Sequence, residues 1–106
     1  MAIEHAKHGE VVALSKFHTT ESAALVKTEA FEAIRLVVKE GKSLPPHKVE
    51  GPITVQCLSG RCTFYVEDEP RELDPGSWLY LKGGTTHAVE AAENSVLLVT
   101  ILLGKD

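Results

Sequence analysis

Of the five histidines in this 106-residue chain, His47 and His87 stand in the segments best suited to chemistry. The first lies in GKSLPPHKVEGPITV and the second in KGGTTHAVEA. An imidazole titrates near pH 6.5, so close to neutrality it can accept or donate a hydrogen bond, carry a proton or ligate a metal. A structural zinc site takes four protein ligands and a catalytic one about three. A non-haem iron site needs two histidines and a carboxylate on one face. Two imidazoles fall short of each, so the neighbours decide what the pair can do.

Alternation along a strand puts His47 and Val49 on one face, which sets methyl groups beside the first imidazole. Glu50 is three residues from His47 and Glu90 three from His87, so simple alternation turns both carboxylates away. Glu50 stays a candidate metal ligand because Gly51-Pro52 interrupts the strand and can reset its alternation. Gln56 and Cys57 are too far along, or on the wrong face, to complete a site. Glu32 and His18 belong to a less legible N-terminal third and have no fixed place. Trp78 and Tyr80 share a strand face and count as pocket-wall residues. Tyr65 or Tyr80 would serve as a phenolic acid if its hydroxyl faced the cavity. His5 and His8 read as a surface segment and Lys82 as a solvated loop residue.

The elements that must position these residues are short strands. ITVQCL and RCTFYVE flank Ser59-Gly60 and read as a hairpin. REL, SWLYLK, THAVEA and VLLVTILL follow, separated by Asp74-Pro75-Gly76, Gly83-Gly84 and Glu93-Asn94-Ser95. Such spacing predicts a β-sandwich or small barrel. Upstream, a helix from Thr20 to Ala33 competes with two strands, Ala24–Thr28 and Phe31–Lys39, and the strands are preferred. Gly83-Gly84 reads as a tight turn with positive φ, not a phosphate cradle, since no helix follows it. Cys57 and Cys62 read first as buried thiols and secondly as a redox pair.

Gly41, five residues and His47, with Gly60 thirteen further on, resembles the first motif of the cupin family. Gly76, five residues, Lys82, Gly83, Gly84, two residues and His87 resembles the second, with Lys82 in the family's proline position and Ala91 in its asparagine position. The spacer of fifteen residues, Arg61 to Pro75, suits a minimal cupin, and the resemblance runs from about Phe31 to Leu103. It implies an all-β, single-domain antiparallel barrel of jelly-roll type, over residues 22–106, with residues 1–21 as an arm, short helix or edge segment. Many cupins hold iron, manganese, nickel or zinc with three histidines and a glutamate. Here the first and last histidines fall on His47 and His87, the second on Val49 and the glutamate on Ile53. Half of that ligand set is apolar.

Composition narrows the function. A net charge of −4 and no basic stripe argue against nucleic acid. The N-terminus has no secretory h-region and no run reaches the length of a membrane span, so the expected location is cytoplasmic. The favoured reading is a small-molecule binder with a largely apolar pocket of His47, Val49, Ile53, Trp78, Tyr80 and His87. The alternative is a metal-dependent cupin enzyme of dioxygenase, isomerase or lyase type. It would use a divalent transition metal on His47, His87 and an unidentified third ligand, with Glu50 the first candidate. Two further readings are a metal-free epimerase-like enzyme and a structural module. The family resemblance implies a homodimer.

Overall fold

The computed structural model describes residues 5–14 and 21–103. Among the described residues there are nine antiparallel strands: β1 (Ala23–Lys27), β2 (Phe31–Val38), β3 (Ser43–His47), β4 (Ile53–Ser59), β5 (Cys62–Val66), β6 (Glu69–Leu73), β7 (Trp78–Leu81), β8 (His87–Ala91) and β9 (Ser95–Leu102). One sheet has the order β1-β2-β9-β4-β7 and the other β3-β8-β5-β6. Two such sheets packed face to face make the jelly-roll barrel, and there is no α-helix among the described residues. The preference for two strands over a helix between Thr20 and Ala33 is met within a residue at each end. Thr20 and His18 lie outside the described residues.

The core follows from alternation. In β4, Ile53, Val55 and Cys57 are buried while Gln56 is exposed. Their partners on β9 are Ile101, Val99 and Leu97. Across the barrel, Cys62 and Phe64 of β5 lie opposite Ala91 and Val89 of β8. Cys57, Cys62 and Leu97 are each no more than 1 % exposed, so this end of the barrel is closed by tight packing. Ser95 at the start of β9 is fully buried, and its hydroxyl donates to the carbonyls of Arg61 and Glu93.

The chain departs from the expected hairpin at Ser59-Gly60. The runs before and after Ser59-Gly60 do not form a hairpin: β4 and β5 belong to different sheets. Gly60 has φ +81, and a Cβ there would collide with the Asn94 carbonyl and Ser95. The corner therefore crosses beneath the β8–β9 turn and carries the chain from one sheet to the other. The two-residue hairpin in this region joins β5 to β6, with φ of 49 at Glu67 and 72 at Asp68. Positive φ at both positions gives the turn the hand that matches strand twist.

Residues 5–14 run beside the five-stranded sheet. The Ala6 amide donates to the Leu25 carbonyl on β1, and Val12 and Leu14 border a groove with Arg35, Leu58 and Val96.

Candidate functional site

The histidines come together because β3 contains a bulge. Between the pairs Leu44–Val89 and His47–His87, β3 advances three residues while β8 advances two. Pro45 and Pro46 occupy that interval, and neither has an amide hydrogen for the ladder. The extra residue resets the alternation, so Leu44 and His47, three apart, both line one cavity. His47 then sits directly across from His87, with ring centroids 4.3 Å apart in an edge-on arrangement at 61°. On its other side His87 stacks on Phe64 at 5.6 Å and 12°.

Each imidazole is tied to the backbone. His47 Nδ1 lies 3.0 Å from the Pro45 carbonyl, and His87 Nδ1 lies 2.9 Å from the Thr85 carbonyl. Thr85 is itself held, since its hydroxyl donates to the Lys82 carbonyl. The loop around it is clamped to the neighbouring β3–β4 connection by the Gly84 amide, which donates to the Val49 carbonyl. Gly84 has the expected positive φ, +82. Gly83 is needed for a different reason: a Cβ there would strike the Glu50 carbonyl. His47 is exposed and His87 is 7 % exposed. Burial lowers the His87 pKa below 6.5, the Thr85 bond partly offsets this, and His47 lowers it further.

The cavity has a volume of about 140 Å3. Its walls are aliphatic, including Val49, Ile53, Ile34 and Ile101, with Phe64 as the aromatic contributor, and His47 and His87 supply its polar side chains. The structure thus gathers four of the six pocket residues expected from sequence: His47, Val49, Ile53 and His87. It places Trp78 and Tyr80 elsewhere. They are 63 % and 55 % exposed on the outer face of β7, because the register with β4 turns Leu81 inward beside Ile53. Tyr65 also lies outside the cavity, its hydroxyl 3.5 Å from Glu90 Oε1 on the outer face of the second sheet. Phe64, Ile34 and Ile101 line the cavity as well, outside the six residues expected of it. Their signal was parity: Phe64 is two from Val66, the partner of His87, and Ile34 is two from Leu36 on the inner face of β2.

Glu50 is exposed in the loop between β3 and β4 and does not line the cavity. The interruption that resets alternation is Pro45-Pro46, before His47, rather than Gly51-Pro52 after it. Among the described residues, no three His, Cys, Asp or Glu side chains are grouped so as to hold a metal ion. Val49 and Ile53 face the cavity where a cupin centre would carry its other two ligands. Two imidazoles against methyl groups do not fit a resident divalent metal. Glu32, without a place in the sequence reading, lies opposite Ile101 on the side of β2 that carries Ile34. Cys57 and Cys62 are free and buried in the closed end. Burial pushes the Cys62 thiol up to about 11 and raises that of Cys57, so neither is a thiolate at neutral pH.

Comparisons with known proteins agree with this geometry. The Cupin domain family model matches residues 34–102. A conserved protein of unknown function from Streptococcus pyogenes superposes with a TM-score of 0.81 at 20% identity, over 100% of this chain and 97% of that one. A cupin superfamily protein from Desulfitobacterium hafniense also gives 0.81, at 17% identity over 98% and 99% of the two chains. A cupin 2 conserved barrel domain protein from Leptotrichia buccalis gives 0.73 at 27% identity, over 93% of this chain and 44% of that one. Among the curated proteins, no relative matches by sequence.

Proposed function

Because the chain belongs to the cupin domain family, we propose that its barrel binds a small, mostly apolar organic molecule, with His47 and His87 as the polar groups of the pocket. The observation that carries this reading is the cavity of about 140 Å3, aliphatic-walled and marked by two imidazoles. Binding sites for small molecules are commonly apolar with a few placed polar groups. A dry apolar cavity of about 150 Å3 admits benzene, so the space suits one six-membered ring or a short branched chain. His87 is preorganised by Phe64 on its face and Thr85 on its edge, which reduces the ordering cost of binding.

The test is a titration of isotope-labelled protein with toluene, followed through backbone amide shifts. The expected result is saturable shifts that cluster at His87, Val89, Val55 and Ile101. Absence of any saturable shift near the solubility limit of toluene would overturn the reading.

The partner in this reading is a second copy of the chain. Trp78 and Tyr80 stand exposed on the outer face of the five-stranded sheet, in rows that continue through Gln56 and Leu98, and through Thr54 and Thr100. These rows carry no acidic side chain although the chain has a net charge of −4. Two copies can therefore meet on this face without juxtaposing carboxylates. No helix among the described residues is long and apolar enough to cross a membrane. The two free thiols of the core suit the reducing conditions of a cytoplasm.

A further inference from the structure

We infer that the pocket selects an apolar molecule whose polar head donates hydrogen bonds, a hydroxyl or an ammonium, and discriminates against a carboxylate. This deepens the pocket reading and rests on it.

The carbonyls of Pro45 and Thr85 can only accept, so the nitrogen facing each of them, Nδ1 of His47 and of His87, must carry the proton. In a neutral ring the Nε2 is then an acceptor. Among the described residues, neither Nε2 has a hydrogen-bond donor. The backbone enforces this tautomer. Pro45 lies inside the bulge of β3, and Thr85 is fastened through its hydroxyl to Lys82. The other tautomer would set a nitrogen lone pair against a carbonyl oxygen at about 3 Å in both rings. The two rings that line the cavity, 4.3 Å apart, thus carry two acceptor nitrogens, and the lining has no side-chain donor while both rings are neutral.

A carboxylate head would bring more lone pairs against these, and would be accommodated only by protonating a ring. Protonation of His87 is opposed by its burial and by the adjacent His47. An apolar head fills the space but buries the lone pairs without a partner. One neutral hydrogen bond is worth about fivefold in affinity, so the donor preference is measurable on a single ring scaffold.

The test compares phenol, benzylamine, toluene and benzoate on the labelled protein at pH 7.5, where dissociation constants are read from the same amide shifts. Phenol or benzylamine is expected to bind at least about fivefold tighter than toluene, with benzoate weakest. The better of the two donor probes tells whether the natural head is a hydroxyl or an ammonium. In His87→Phe, which removes one of the two acceptor nitrogens, the ratio of donor-probe to toluene affinity should fall. If toluene binds and neither donor probe exceeds it, or if benzoate equals them, the donor inference falls and the pocket reading stands. If no probe binds, both fall.

Discussion

His47 and His87 are cross-strand partners, paired residue to residue on β3 and β8 with rings 4.3 Å apart. Each ring donates from Nδ1 to the carbonyl two residues before it in the chain. The shared pattern creates a matched pair of acceptors, which makes the protonation state of the pair the central property of the site.

The first prediction concerns that state directly. Long-range proton–nitrogen correlation spectra at pH 8 should show both rings protonated at Nδ1, with Nε2 resonating as an unprotonated nitrogen. A spectrum with either ring protonated at Nε2 would contradict the assignment, because the facing carbonyls accept from Nδ1 alone.

A second prediction follows from burial of His87. Its folded pKa lies below 6.5, chiefly through desolvation, so between the two values the unfolded chain binds more protons than the folded one. Stability then rises with pH across this window. The contribution of the neutral ring is complete above about pH 6.5 and is lost as pH falls toward the folded pKa. Urea unfolding at pH 8, 6.5 and 5 should show a smaller loss on acidification in His87→Phe than in the unsubstituted protein. An equal loss in both would show that His87 titrates alike in the two states.

Much of this fold is legible in the residues, and the failures have identifiable causes. Turn chemistry marks the strand ends well: β2, β7, β8 and β9 lie close to the runs FEAIRLVVK, SWLYLK, THAVEA and VLLVTILL. What local pattern lacks is the assignment of faces and sheets. In WLYL both alternating sets are apolar, so only the pairing of Leu81 with Ile53 decides that the leucines turn in and the aromatics out. Likewise Ser59-Gly60 has the composition of a hairpin turn. Its role as a crossing depends on the backbone of Asn94 and Ser95, more than thirty residues away. The histidine pair is legible by its spacing, whereas the bulge that makes His47 share the cavity with Leu44 is a tertiary consequence of Pro45-Pro46.

A third prediction addresses metal. Protein dialysed against a weak chelator should hold iron, manganese, nickel and zinc well below one equivalent by plasma mass spectrometry, with little change in His47→Ala/His87→Ala. The reason is the donor set: Val49 and Ile53 contribute methyl groups to the cavity, and Glu50 lies outside it. Near-stoichiometric metal that disappears in the double variant would require a third ligand and would reopen the enzyme reading.

The fourth prediction tests the outer sheet face. Trp78 and Tyr80 together expose large aromatic surfaces on β7, an edge strand of the five-stranded sheet. Aromatic side chains of this kind anchor interfaces, since they bury much area at low entropy cost. In a two-fold dimer each copy contributes the same patch, so one substitution alters the interface twice. Trp78→Glu adds a charge to both sides at once and leaves the core-facing Leu79 and Leu81 untouched. Sedimentation equilibrium should therefore give the mass of two chains for the unsubstituted protein and of one chain for Trp78→Glu. The variant should remain folded and still take up toluene, because the cavity lies on the opposite face of the sheet. A monomer for the unsubstituted protein across micromolar concentrations would overturn the proposed assembly and leave the pocket untouched.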